Sequence, residues 1–359
     1  MSFGLTILPD DNRKYIDIST SSRVLSSLGR YSVYPTGGIG DNVRQDVGIT
    51  SKVTGGVAVA IPTRAVTLAL GGNFPRVNVL TGINVSGSTM SVYGKQSFTG
   101  SSGPNYYDIS LFEIPNANSG LEAYGIAMYD SVNFLALTDV SQFGYVTYVN
   151  TIDINGAWSI PDSVPNKGSC VVFARWNNGA TPIYHDRDAG QLQTFTGFSS
   201  ASGSVQGGFV GGVQVVIVST GFVPSPPASG YGIVIRNASG VITYSSKYAP
   251  VIWRGGYFGV PGYVENDTGG ASKIQWIGSS GNVSQPMVPI GSYGFQCGDY
   301  STTGTYPQKV ALYSGLLMSG NSISTYRAKS AGASVYYYQY PVRAQMGYNL
   351  PCLDASDYF

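Results

Sequence analysis

Tyr231-Gly232-Ile233-Val234-Ile235-Arg236-Asn237-Ala238-Ser239-Gly240-Val241-Ile242-Thr243-Tyr244 is the stretch on which the fold turns. An aromatic residue, a glycine and spaced aliphatic residues lead into a polar Asn-Ala-Ser-Gly, and a second short apolar run follows. Side chains alternate between faces with a period of two in a strand, and Asn, Ser and Gly supply the turn, so the segment predicts a β-hairpin. The same order occurs twice upstream. Phe3-Gly4-Leu5-Thr6-Ile7 is followed by Tyr15-Ile16-Asp17-Ile18, and Tyr124-Gly125-Ile126-Ala127-Met128 by Phe134-Leu135-Ala136-Leu137.

Other pieces recur in the same order. A strand-like run and then a proline precede each later start: Asp108 to Phe112 before Pro115, Gln214 to Val218 before Pro224, and Val335 to Tyr338 before Pro341. Ser86-Gly87-Ser88-Thr89-Met90-Ser91 matches Ser319-Gly320-Asn321-Ser322-Ile323-Ser324. This self-similarity predicts three tandem modules, residues 1–123, 124–230 and 231–347, each an antiparallel β-sandwich. Residues 348–359 then open a truncated fourth copy. A solitary strand is not stable by itself, so Tyr348, Leu350 and Cys352, which alternate onto one face, are expected to add to a sheet edge of the third module or of a neighbouring subunit.

Composition agrees with an all-β protein having negligible helix. The chain has 359 residues with 48 Gly, 27 Tyr and only 11% charged residues, where a soluble average has about a quarter charged. β-branched and aromatic residues fill the apolar positions, as pleated surfaces require. Thr151 to Ile160, with Asn155-Gly156 at its centre, reads as a further hairpin, and Val171 to Trp176 followed by Asn177-Asn178-Gly179 as another. The apolar run from Gly56 to Gly72 is broken at Pro62-Thr63-Arg64 and reads as two strands rather than a membrane helix. Twenty basic and 19 acidic residues, without blocks, leave a net charge of +1, which argues against nucleic acid or an acidic membrane as partner. The first twenty residues lack a signal-like apolar core, so synthesis in a cytoplasm is expected. Cys170, Cys297 and Cys352 are odd in number and far apart, which suits buried thiols rather than disulfides or a zinc site.

Little in the chain carries catalytic chemistry. The single histidine, His185, sits in Tyr184-His185-Asp186-Arg187-Asp188, expected to be a polar surface loop whose alteration is silent. No nucleophile elbow or phosphate loop occurs, and Gly37-Gly38-Ile39-Gly40 suits a turn. Glycoside hydrolysis needs only two carboxylates, and nothing in the sequence pairs them. No catalytic residue, cofactor or metal is expected. Tyrosine is the remaining candidate, because it covers interface area at little entropic cost. Tyr336, Tyr337, Tyr338, Tyr340, Tyr106, Tyr107, Trp253 and Tyr257 are the candidate interface or receptor contacts, and the competing assignment places them in a sandwich core.

The opening Tyr231 to Gly240, echoed by Phe3-Gly4-Leu5, resembles the openings of tail-tip and fibre-associated proteins of tailed bacteriophages. The resemblance implies a cofactor-free structural component of the virion tail, partnered with other tail proteins and with copies of itself, and with a host-surface glycan or protein as its receptor. A head decoration or capsid fibre protein, and a carbohydrate-active enzyme working on host envelope polysaccharide, are the alternatives. Since no segment shows a 3.6-residue apolar period, circular dichroism is expected to show a β-dominated spectrum, and helix above about a quarter of the residues would contradict the fold.

Overall fold

The computed structural model describes residues 5–7, 16–18, 23–34, 42–49, 56–71, 74–96, 106–114, 125–128, 135–138, 144–199, 203–228, 232–237, 239–265, 275–279, 283–301, 308–331 and 343–359. Every strand pairing between named strands is antiparallel. Among the described residues the only helical element is a single 3₁₀ turn, Ala355–Asp357. The all-β expectation therefore holds.

The repeated hairpins form. Leu5–Ile7 pairs with Ile16–Ile18, Gly125–Met128 with Leu135–Thr138, and Val234–Arg236 with Ile242–Ser245. In the last, Asn237 Oδ1 accepts from Ser239 N at 3.0 Å and from Val241 N at 2.9 Å, so its side chain closes the turn. The second recurring motif is also a hairpin each time. Ser86 lies opposite Thr89 and Ser319 opposite Ser322, and the two-residue loops open on Gly87 (φ +57°) and Gly320 (φ +60°). A positive φ at the first loop position matches strand twist and costs glycine nothing.

Two expected hairpins do not form. At Gly156 (φ +77°) the chain reverses and only Asn155 and Ala157 face each other. The preceding arm pairs instead with Phe209–Ser219, and Ala157–Ser159 pairs with Gln191–Ser199. Ile152 and Ile154 are buried, and a long valine-rich partner covers them better than a three-residue arm could. Val171–Arg175 and Asn178–Asp186 likewise take different neighbours. The Gly56–Gly72 run does divide as expected, into Val57–Arg64 and Val66–Gly71.

The largest sheet has Tyr145–Asn155, Phe209–Ser219 and Val171–Arg175 side by side. Alternation sends Val213, Val215 and Ile217 into one core cluster and Val216 and Val218 into a second, on the opposite face. Val172 and Ala174 against Val171 and Phe173 divide in the same way. Tyr107–Ile114 is buried along its whole length and splits as Ile109 and Leu111 against Phe112.

Hydrogen bonding crosses the expected module boundaries. Asn178–Asp186 pairs with Gln308–Ser319, Val171–Arg175 with Pro286–Pro289, and Arg23–Val24 with Ile252–Trp253. Residues 1–123, 124–230 and 231–347 are thus not three separately bonded sandwiches, because a strand apolar on both faces must be covered from two sides and draws its cover from all three ranges.

The C-terminal strand does add to an edge within residues 231–347. Tyr348–Pro351 pairs with Tyr257–Val260, with Leu350 opposite Phe258. Leu350 and Cys352 enter the first cluster, while Leu353, Ala355 and Tyr358 enter the second. The Tyr348 hydroxyl donates to Ala60 O at 3.2 Å, and the Tyr358 hydroxyl accepts from Ile252 N at 3.1 Å. Arg254 grips Asp357 through two guanidinium nitrogens. Burial works against the Asp354 carboxylate, but hydrogen bonds from Ser356 and Ser284 outweigh it and hold the group below the ordinary carboxylate range. Its stabilising effect is therefore complete above about pH 4 and is lost as pH falls through the lowered value.

Burial of Leu350, Leu353 and Tyr358 contributes roughly 1.5–3 kcal/mol each. Deleting residues 348–359 is thus expected to destabilise the whole chain by on the order of 5 kcal/mol, read as an early transition in a urea melt. Tyr358→Phe should cost about 1 kcal/mol. A truncated protein that melts like the full chain would contradict this.

Candidate functional site

Strand alternation in Asn178–Asp186 separates two environments. Ile183 and His185 face the first core cluster, and Tyr184 and Asp186 face the other way, into a polar cleft of about 220 Å³. Arg64 and Thr67 enter the cleft from the two strands on either side of Ala65. Ser292 is fixed beside them because its carbonyl accepts from Ala65 N at 2.8 Å while its N–H donates to Thr63 O at 3.2 Å. Tyr313 and Lys329 come from the hairpin strands Gln308–Ser319 and Ser322–Ser330.

Each acid of the cleft has a cation against it. The Lys329 ammonium pairs with Asp186, which also accepts from Gln193 Nε2 at 3.2 Å. Arg64 Nη2 lies 3.3 Å from the exposed Asp188, Arg64 Nη1 donates to the Tyr106 hydroxyl at 2.8 Å, and the guanidinium sits 5.0 Å from that ring's centroid. Burial works against the Arg64 charge, but Tyr106, Asp108 and Asp188 outweigh it and raise its pKa. Tyr184 stacks on Tyr313 with centroids 6.0 Å apart, and burial pushes the Tyr184 hydroxyl far above its ordinary value.

A second polar knot involves the same arginine. Asp108, fully buried, accepts from Ser32 Oγ at 2.9 Å and has Arg30 Nη2 at 2.9 Å and Arg64 Nε at 3.8 Å. Arg30 and Arg187 both donate to Gly168 O, at 3.2 and 3.0 Å. Burial and the nearby Arg30 push the Arg187 guanidinium below its usual value. Cys170 and Cys352 are buried, as expected, and burial lifts the Cys170 thiol to about 11, which keeps it unreactive. The side chain of Cys297 lies outside the described residues.

The tyrosine candidates divide. Tyr106 is half-buried on the flank of the cleft, tilted against Tyr34 at 5.3 Å. Tyr257 is exposed beside the C-terminal strand, edge-on to Trp253 at 5.0 Å. Tyr107 and Trp253 are core residues instead of contacts: Tyr107 is fully buried with its hydroxyl over Gly94, and Trp253 Nε1 donates to Gly256 O at 3.1 Å. Tyr336, Tyr337, Tyr338 and Tyr340 lie outside the described residues. The cleft residues Arg64, Thr67, Tyr184, Asp186, Asp188 and Lys329 were not candidates from sequence. Only the Tyr184-to-Asp188 run carried a local signal, and its partners stand more than a hundred residues away along the chain.

His185 is a correction. The ring is buried in a strand opposite Leu192 instead of lying in a surface loop, because alternation within the strand turns it toward the core. Burial first, then Arg187, lowers its pKa to about 3. The unfolded chain binds a proton below about pH 6.5 that the folded chain refuses, so stability falls as pH drops from about 6.5 toward 3. Wild type is expected to lose on the order of 1–2 kcal/mol between pH 7 and 5 from this group, measured by urea melts, and His185→Phe should lack that share of the slope. An identical pH dependence in both proteins would contradict the burial assigned to the ring.

Among the described residues no cluster of three His, Cys, Asp or Glu side chains could hold a metal ion. Neither a curated protein nor a solved structure matches the chain. The Family of unknown function (DUF6453) matches residues 4–340, nearly the whole length over which the repeated hairpins, the two cores and the cleft are built, and the chain belongs to that family.

Proposed function

We propose that this protein is a non-catalytic structural component of a bacteriophage particle, placed in the tail as tip, fibre or fibre adaptor, where it contributes to attachment at the host surface. Other tail proteins and copies of itself are its partners in this reading. The observation that carries the non-catalytic part is the pairing of cleft charges, Asp186 with Lys329 and Asp188 with Arg64. Both carboxylates are engaged by cations of the fold itself, whereas a glycosidase turns its two carboxyls to the substrate. Such an arrangement suits a groove that holds a partner still.

Two further features support a particle component. The resemblance of Tyr231 to Gly240 to tail-associated openings supplies the location. The C-terminal segment, shared between two cores, supplies a means of staying folded outside a cell. Gold-labelled antibody on purified particles is expected to mark the tail. Label on the head would favour a decoration or capsid fibre protein, and release of reducing sugar from host envelope polysaccharide by the purified chain would overturn the non-catalytic reading.

A further inference from the structure

The floor of the cleft carries polar atoms that the protein itself does not satisfy. Thr67 is 3% exposed, lines the cleft, and its hydroxyl has no hydrogen-bond partner in the chain. Asn78 stands directly opposite Thr67 in the strand ladder, which puts the two side chains on one face. It is 2% exposed, and neither its amide oxygen nor its amide nitrogen has a partner. Ser292 Oγ lies beside the Tyr184 hydroxyl without an aligned hydrogen bond. Buried polar groups in proteins are almost always paired, so unpaired ones at and directly behind the wall of an open cleft mark a place where a ligand completes the bonding.

The chemistry of these atoms narrows the ligand. The hydroxyls of Thr67 and Ser292 donate and accept alike, as a sugar hydroxyl does, whereas a metal cation offers no donor. The charges cancel locally, Arg64 and Lys329 against Asp188 and Asp186, and leave no surplus to hold an ion. The volume of about 220 Å³ equals the space of some seven waters at ~30 Å³ each and is below the ~300 Å³ at which pockets for larger ligands begin. One wall is apolar, formed by the stacked rings of Tyr184 and Tyr313.

We infer that the cleft takes a single uncharged sugar ring, its hydroxyls meeting Thr67 and the outward carboxylate of Asp188, and its C–H face lying along the tyrosine wall. The inference deepens the attachment reading and rests on it for its setting, since a terminal sugar is what a host-surface glycan offers to a pocket of this size.

The test is saturation-transfer NMR and titration calorimetry on the full chain with glucose, galactose, N-acetylglucosamine and rhamnose, and with glucuronate and inorganic phosphate as charged comparisons. A neutral sugar is expected to bind, and Thr67→Val and Asp188→Asn are each expected to weaken it by about tenfold or more. Asp188 is exposed, so its substitution leaves the fold intact. Thr67→Val should in addition hold or raise the melting temperature, because it removes an unpaired hydroxyl, which a purely structural threonine would not do. Binding of none of the neutral sugars, tighter binding of phosphate or glucuronate, or unchanged affinity in both variants would overturn the inference. A protein located in the tail that binds no sugar would remove this inference and leave the particle reading standing, and a sugar-binding protein absent from particles would do the reverse.

Discussion

A strand apolar on both faces must be covered on both faces, and the strand Phe209–Ser219 imposes that requirement on the rest of the molecule. Val213, Val215 and Ile217 fill one core while Val216 and Val218 fill the other. Near-continuous apolar runs of this kind belong to sheets buried on two sides, and here the sheet is antiparallel. Among the described residues there is no long helix to cover it. It is covered on its two faces by strands from both ends of the chain, and the hydrogen-bonded pairs that tie Asn178–Asp186 to Gln308–Ser319 at one core and Arg23–Val24 to Ile252–Trp253 at the other follow from that need.

The C-terminal segment shows the same constraint at a smaller scale. Leu350 and Cys352 on one side of a short extended stretch, and Leu353 on the other with Ala355 in and Tyr358 capping the 3₁₀ turn that follows, close the two cores at once. Polar groups are excluded from those cores unless paired, and they gather where the sheet layers leave a gap. In Asn178–Asp186 the division is residue by residue: His185 is committed to the core and loses its charge there, while Tyr184 and Asp186, one step to either side, open onto the cleft.

Local features were legible in the sequence. The three repeated hairpins, the paired Ser-Gly loops, the division of the Gly56–Gly72 run and the edge addition of Tyr348–Pro351 all rest on alternation and turn chemistry within a dozen residues. Partner choice was not legible. Asn155-Gly156 announces a reversal, yet its arms pair with Phe209–Ser219 and Gln191–Ser199 because burial of Ile152 and Ile154 outweighs the proximity of Ala157–Ser159. For the same reason the module boundaries do not separate sheets. The cleft was hidden because Arg64, Thr67, Asp186 and Lys329 are unremarkable alone and meet only through long-range pairing. Tyr107 and Trp253 were indistinguishable by type from the exposed Tyr257, and only packing sorts them.

Native-state hydrogen exchange tests the two-sided burial most directly, since it reports the opening of each strand separately. The account predicts that the amides of Val213 to Val218 exchange in the slowest class, and that the hydrogen-bonded amides of Phe258–Leu350 and Met287–Leu353 exchange with them as one cooperative unit. Exchange of the C-terminal strand at a rate independent of, and far faster than, the Val213 to Val218 amides would contradict it.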